Sequence, residues 1–139
     1  MTDTTRLNSL RIVLVATGLI FIFGLWLLTK VWPSGWAWHA DGRSEYLEMI
    51  LGVYATLGVC LLRAARDPLA HLSVIWFTVW SSIVHGAIMA AQSLANVQHL
   101  GHLLGDVPIL LIVAGVLALL TPRRDAGRTS TAVTSPALS

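Results

Sequence analysis

The sequence predicts an all-α integral membrane protein, a four-helix bundle with both termini on the cytoplasmic side. Of its 139 residues, 55% are hydrophobic and only 12% are charged, whereas soluble globular domains carry about 25% charged residues. The mean hydropathy of +0.73 agrees with this. Four apolar stretches are long enough to cross a bilayer, which takes about 20 residues. We therefore expect one transmembrane domain over residues 1–122, with lipid covering its outer surface.

The first membrane helix is predicted at residues 12–30. It follows a polar stretch that carries Arg6 and Arg11, and it is closed by Lys30 and Trp32. A charged start before an apolar run is also typical of a signal peptide, but this run is long and no Ala-x-Ala cleavage site follows it. We therefore expect the segment to remain in the mature protein as a membrane helix.

Three further helices are predicted at residues 46–63, 69–92 and 99–120. A loop crowded with tryptophans precedes the first of them, and such rings favour the lipid headgroup level. A basic turn with a proline separates the next two, and Pro122 stops the last. Residues 123–139 are rich in Ser, Thr, Ala and Pro, a composition that predicts a disordered cytoplasmic tail.

The basic residues set the expected orientation. Seven of the nine Lys and Arg residues lie in the N-terminal stretch, in the turn between helices two and three, and in the C-terminal tail. The positive-inside rule then puts both termini in the cytoplasm, and we expect a bacterial inner membrane protein. Because these charges are scattered over segment ends, the net charge of +2 gives no nucleic-acid-binding stripe. Cys60 is the single cysteine, so no disulfide framework is available.

Three titratable side chains open the fourth predicted helix, in the stretch HLGHLLGDVP. At 100° per residue, His102 and Asp106 lie one above the other and His99 sits about 60° away, all on one helix face. Pro108 has no N–H, so we expect the carbonyl of Leu104 to lack its helical partner beside Asp106. Titratable groups at membrane depth are costly, and they raise a functional-site hypothesis by default.

Two more titratable side chains are predicted in the same outer half of the bilayer. Glu48 stands in the first turn of helix two, and His85 lies about 10 Å short of the outer end of helix three. We take His85, His102 and Asp106 as the core of a candidate site, with Glu48 and His99 as secondary members.

Small residues spaced four apart indicate which helices pack around this site. Helix four has Gly101 and Gly105, and helix three has Gly86 and Ala90. Such pairs let helix backbones approach closely in membranes, so helices three and four are expected to pack against each other.

Imidazoles and carboxylates in one pocket fit several chemistries, and the sequence leaves the choice open. They bind a divalent transition metal such as zinc, copper, iron or nickel, or they relay protons near neutral pH. Two histidines also hold a haem, although nothing in the sequence sets two of them at matching depth on facing helices. In the alternative, the same groups only hydrogen-bond helices together in a structural or assembly subunit of a membrane complex. The sequence contains no GxSxG elbow that would indicate a hydrolase. A homo-oligomer is compatible with the sequence.

Two stretches carry a family resemblance, residues 51–92 (LGVYATLGVCLLRAARDPLAHLSVIWFTVWSSIVHGAIMAAQ) and residues 99–108 (HLGHLLGDVP). They resemble the small bacterial membrane proteins called the BphX-like family, from about Tyr46 to Leu120, without the first helix and the tail. The resemblance implies a multi-pass membrane protein of unknown biochemical activity, sometimes encoded near aromatic-degradation functions. It implies no catalytic residues.

Overall fold

The chain forms an all-α bundle in the computed structural model, which describes residues 3–32 and 45–122. Over these residues no β-strand is present, and the chain runs up and down through four long helical segments. The elements are α1 (Asp3–Leu19), a π-helical segment (Ile20–Gly24), α2 (Leu25–Val31), α3 (Glu45–Arg66), α4 (Leu72–Ala95), a 3-10 helix (Val97–Leu103) and α5 (Asp106–Leu120). The all-α four-helix prediction is confirmed. The predicted disordered tail, residues 123–139, lies outside the described residues.

Four segments are long and apolar enough to cross a membrane, namely Asp3–Val31, Glu45–Arg66, Leu72–Ala95 and His99–Leu120. Their outer surfaces carry large apolar side chains. Phe23 is 67% exposed, Trp80 61% and Leu119 77%. Surfaces of this kind are unfavourable in water, and lipid covers them without cost. The chain is therefore a membrane protein in contact with lipid.

The first segment begins nine residues earlier than the sequence predicted. The helix starts at Asp3 instead of residue 12, so Arg6 and Arg11 are helical. No glycine or proline precedes Gly18 in the described part of α1, and nothing in the polar turns breaks the helix. Hydropathy marks the membrane-embedded part of a helix and not its end. The start predicted from hydropathy was therefore too late.

The first and second segments cross with their backbones in contact. A Cβ atom on Gly58 would lie 2.6 Å from the carbonyl oxygen of Gly18, and one on Gly18 would lie 2.9 Å from that of Gly58. Only glycine fits such an approach. The π-helical segment begins two residues after Gly18 and turns Phe21 towards Tyr54, with ring centroids 4.9 Å apart in an edge-to-face arrangement. The crossing and the π-helical segment thus fix the ring of Tyr54.

The third and fourth segments pack closely, as the small residues of α4 predicted. At Gly86 a Cβ atom would sit 3.6 Å from the Cβ of Leu110, which is ordinary contact distance. Met89, Val107 and Leu110 form a small buried cluster at this interface, and Tyr54 packs against it. The main core lies farther along the bundle around Leu10, Leu14, Leu61, Ile75 and Leu117.

The fourth segment is not the continuous α-helix that the sequence predicted. Residues 97–103 form a 3-10 helix, a turn follows at Leu104 and Gly105, and α5 begins only at Asp106. Two glycines four residues apart weaken an α-helix here, so the pair predicted to pack helix on helix breaks the helix instead. Pro108 is the third residue of α5, where an N–H has no intrahelical partner in any case. Leu104 itself lies in the turn before α5, so its carbonyl precedes the helix and is not a break within it.

Arg6 ties the start of the bundle to its end. Its guanidinium group donates hydrogen bonds to the carbonyl oxygens of Leu119, Leu120 and Thr121, each at 3.0 Å. These carbonyls belong to the last two residues of α5 and to its C-cap residue Thr121, where helical donors run out. A cation at this position also interacts favourably with the helix dipole. Arg6 therefore caps α5 from a different segment.

Replacing Arg6 with alanine is expected to lower the free energy of unfolding by about 2 kcal/mol, because hydrogen bonds to a charged group are each worth about 1.5–3 kcal/mol and these are partly exposed. Thermal unfolding in detergent measures the loss. Arg11→Ala removes the same charge from an exposed position on the same helix and is the matched control. Equal effects of the two substitutions would contradict a capping role.

Candidate functional site

A buried imidazole and carboxylate face each other across the break in the fourth segment. Nδ1 of His102 lies 2.8 Å from Oδ2 of Asp106, and the two residues are only 1% and 6% exposed. His102 comes from the 3-10 helix and Asp106 is the first residue of α5. The predicted pairing is therefore present, although it joins two elements and not successive turns of one α-helix.

The carboxylate of Asp106 has two distinct oxygen environments. Oδ2 faces His102, whereas Oδ1 is buried and has no hydrogen-bond partner among the described residues. The N-terminus of α5 stabilises negative charge at this position through the helix dipole. A buried polar atom without a partner is costly, so Oδ1 is the place in the site where a proton, a water molecule or a ligand would be stabilised.

His85 and Tyr54 form a second polar pair beside this one. The hydroxyl of Tyr54 lies 3.3 Å from Nδ1 of His85, and the ring centroids are 5.8 Å apart. Asp106 is close enough to interact electrostatically with both side chains. The two pairs thus form one polar cluster of four side chains, which come from α3, α4, the 3-10 helix and α5. We call Tyr54, His85, His102 and Asp106 the polar cluster.

The two secondary members of the predicted site have different positions. His99 lies next to the polar cluster, because its ring centroid is 6.0 Å from that of His102. Glu48 is exposed in the first turn of α3. It precedes Tyr54 by six residues, which turns it about 120° away around the helix axis. The structure therefore brings four of the five predicted residues into one region, and Glu48 faces elsewhere.

The polar cluster lies deep in the bundle. His85 stands ten residues before Ala95, the end of α4, which corresponds to about 15 Å along the helix axis. The 3-10 helix runs back over seven residues, or about 14 Å at 2 Å per residue. Both side chains therefore lie inside the span. The contact of Gly86 with Leu110 sets Asp106 about 7 Å nearer the Ala95 end than His85, which is the deeper of the two. His85 is deeper than the 10 Å expected from the sequence, because α4 extends beyond residue 92.

The sequence was compared with known protein families, curated proteins and solved structures. Residues 4–137 match DUF6632, which is described as a family of unknown function. The chain belongs to this family. Neither the curated proteins nor the solved structures gave a match. Membership of DUF6632 supplies no activity, and the resemblance to the BphX-like family stays a prediction.

The described residues of this DUF6632 member bring two potential metal ligands together, His102 and Asp106. Within residues 3–32 and 45–122, no group of three or more His, Cys, Asp and Glu side chains is close enough to hold a metal ion. Protein zinc sites use three or four such ligands. The metal assignment of His85, His102, Asp106, Glu48 and His99 stays a hypothesis, as does the haem alternative.

Two residues of the region were missed by the sequence analysis. Tyr54 was overlooked because it stands in an apolar run, yet a phenol in mid-span needs a polar partner, and this was the available signal. Ser93 is buried near the end of α4, and its hydroxyl has no hydrogen-bond partner among the described residues. A serine among small apolar residues gives no sequence signal of this kind, because small residues are common at helix contacts in membranes.

Proposed function

We propose that this DUF6632 protein relays protons through its membrane domain by way of the polar cluster. The observation that carries the proposal is the buried His102 and Asp106 pair, in which one carboxylate oxygen has no hydrogen-bond partner among the described residues. Asp106 also interacts electrostatically with the second pair, His85 and Tyr54. Titratable groups inside a membrane domain are characteristic of proton pathways. Imidazole changes protonation near neutral pH, and a neighbouring carboxylate tunes it.

Each member of the polar cluster is able to exchange a proton with the next. The carboxylate accepts a proton at Oδ1 while it holds His102 through Oδ2. An imidazole carries a proton on one nitrogen and accepts one on the other. The hydroxyl of Tyr54 both donates and accepts, and it lies within hydrogen-bond distance of His85. The histidine at the mouth, His99, extends this series towards the membrane surface.

Buried hydroxyl groups extend the path from the polar cluster in the other direction. Ser82 and Thr78 precede His85 by three and seven residues on the same face of α4, and both are buried. Thr78 bonds the carbonyl of Val74 within the helix, which leaves its oxygen able to accept. These hydroxyl groups extend the path by about 10 Å, which is half of the roughly 20 Å between His85 and the start of α4.

Proton relay is favoured over metal binding by the number of ligands. A metal needs a set of three or four groups around one point, whereas a relay needs them in series. The polar cluster is a series, with one pair contributed by α3 and α4 and the other by the 3-10 helix and α5. Metal analysis and an absorption spectrum of the purified protein test the metal and haem alternatives directly.

The decisive experiment measures proton flux into proteoliposomes with an internal pH-sensitive dye under a potassium diffusion potential. Wild-type protein is expected to conduct above empty liposomes, and Asp106→Asn, which keeps the shape of the side chain and removes the titration, is expected to abolish the difference. Asp67→Asn is the matched control, because Asp67 is an exposed carboxylate in the turn before α4. Wild-type flux equal to that of empty liposomes, or flux unchanged in Asp106→Asn, would refute the relay.

A structural role is the second candidate, and one observation favours it. Both polar pairs join different elements, α3 to α4 and the 3-10 helix to α5. In that role the protein is a structural or assembly subunit of a membrane complex, and Asp106→Asn lowers the unfolding temperature while no variant changes proton flux. The flux measurement separates the two functions, because only the relay expects Asp106→Asn to change proton flux.

The proposal includes a location, the bacterial inner membrane with both termini in the cytoplasm. Its support is that Arg6, Arg63 and Arg66 lie at the same end of the up-and-down bundle, which the positive-inside rule assigns to the cytoplasm. Reporter fusions at the two termini test the orientation, and a periplasmic signal from either one would overturn it.

A further inference from the structure

A groove on the lipid-facing side of the bundle, between α3 and α4, is unrelated to the polar cluster. It has a volume of about 480 Å³ and is lined from α3 by Val53, Leu57 and Cys60 and from α4 by Val74 and Phe77. These two helices follow each other in the chain, yet they contact each other less than α3 contacts α1 and less than α4 contacts α5. The groove therefore lies where the bundle leaves two neighbouring spans incompletely packed.

The shape of the groove matches an extended hydrocarbon chain. Val53 and Cys60 are seven residues apart on α3, so this wall alone runs for about 10 Å along the membrane normal. The lining is apolar apart from two hydroxyl groups, those of Thr56 and Ser73. The hydroxyl of Thr56 donates to the carbonyl of Gly52 within its own helix. A molecule bound in the groove therefore does not have to accept a hydrogen bond from it.

A positive charge stands at one end of the groove. Arg63 follows Thr56 by seven residues, which puts the two within about 20° on the surface of α3. Its side chain is exposed, in the last turn of the helix. Ser73 lines the groove from the first turns of α4, at the same end of the bundle. The groove is apolar along its length and polar at one end, where the guanidinium of Arg63 and the hydroxyl of Ser73 lie. This arrangement suits a phospholipid, with the acyl chain in the apolar part and the phosphate at the polar end.

We propose that this groove is a binding site for one anionic phospholipid. One acyl chain lies along Val53, Leu57 and Cys60, and the phosphate pairs with Arg63 at the end that carries Ser73. Arginine suits a phosphate because its planar fork donates two parallel hydrogen bonds. The site is independent of the proton relay, since it lies on the outer surface of the bundle and uses none of the residues of the polar cluster.

The test is native mass spectrometry of the detergent-solubilised full-length protein, titrated separately with phosphatidylglycerol and phosphatidylcholine of identical chains. Wild-type protein is expected to bind phosphatidylglycerol more tightly. Arg63→Gln is expected to weaken phosphatidylglycerol binding about fivefold, which is what one basic residue near anionic lipid is worth. It is expected to weaken phosphatidylcholine binding less, because the choline cation beside that phosphate offsets its attraction to the guanidinium. Arg66→Gln is the matched control, because Arg66 is turned about 120° from Cys60 and Arg63 only about 60°.

A second pair of variants tests the chain-binding wall. Cys60→Phe fills the groove and is expected to weaken both lipids, whereas Val59→Phe adds the same bulk at a neighbouring position that is 51% exposed and does not line the groove. Equal binding of the two lipids by the wild type, or equal losses in Arg63→Gln and Arg66→Gln, would overturn the proposal. Unchanged binding by folded Cys60→Phe would overturn it as well. The exposed position of Arg63 keeps the first pair informative even where Cys60→Phe fails to fold.

Discussion

Gly58→Ala is expected to lower the free energy of unfolding by about 3 kcal/mol, the upper range for inserting one methyl group into a tightly packed site. The added Cβ would lie 2.6 Å from the carbonyl oxygen of Gly18 and 2.8 Å from Cγ1 of Ile22. The first of these atoms is backbone, so no rotamer change relieves the overlap. The two spans have to move apart, and the measurement is reversible unfolding of the detergent-solubilised protein.

Gly52→Ala is the matched control on the same helix. Among the described residues, no atom apart from the nearby backbone of the same helix lies within 4 Å of a Cβ built on Gly52, so the extra methyl group meets open space. Alanine is also the better helix former by about 1 kcal/mol, and the variant is expected to be as stable as the wild type or more so. If Gly58→Ala were as well tolerated as Gly52→Ala, the contact of the two backbones at this crossing would be wrong.

The crossing bears on the polar cluster through a chain of contacts. The π-helical segment that follows Gly18 presents Phe21 to the ring of Tyr54, and the hydroxyl of Tyr54 meets His85. A wider crossing therefore displaces Phe21, which packs against the ring of Tyr54, while no titratable side chain is substituted. A local widening of an α-helix of this kind occurs often at functional sites. Gly58→Ala is for this reason expected to reduce proton flux in molecules that remain folded.

The sequence predicted the number of spans and their order because hydropathy reports the lipid environment directly. It also predicted that His102 and Asp106 meet, and the structure confirms this at 2.8 Å. The local geometry, however, was wrong. A spacing of four residues brings side chains together in an α-helix, and here the same spacing does so across a turn. The prediction treated the glycines at 101 and 105 as a packing pair within a continuous helix, whereas here they favour a turn.

The remaining differences come from contacts between distant parts of the chain. Tyr54 and His85 are thirty-one residues apart, and periodicity within one helix says nothing about which face meets another helix. Glu48 was grouped with the histidines because it stands at the same end of the membrane, yet equal depth leaves the direction around the helix undetermined. Arg6, in the part of the first helix that hydropathy did not mark, has hydrogen-bond partners more than a hundred residues away. The depth of a residue in the membrane can thus be predicted from one sequence, whereas its contacts with other membrane helices cannot.

His102→Ala is expected to lower the free energy of unfolding by about 3 kcal/mol, the upper end of what it costs to leave a buried hydrogen-bonding group unsatisfied. Ordinary hydrogen bonds between membrane helices are worth only about 0.6 kcal/mol, so the two expectations are well separated. The larger value applies here because Oδ1 of Asp106 is already buried without a partner. Loss of the imidazole removes the hydrogen bond at Oδ2 and leaves a cavity beside the acid.

A double-mutant cycle with Asp106 separates the pair from the cavity. If the cost of His102→Ala comes from a stranded carboxylate, Asp106→Ala made in the His102→Ala background is expected to cost little or to restore stability, because the acid that needed the imidazole is gone. The coupling free energy of the cycle then exceeds 1 kcal/mol, within the range for residues that share one network. Additive costs would mean that each side chain contributes only its own packing. The cluster would then be two separate polar residues, and a relay through them would lose its physical basis.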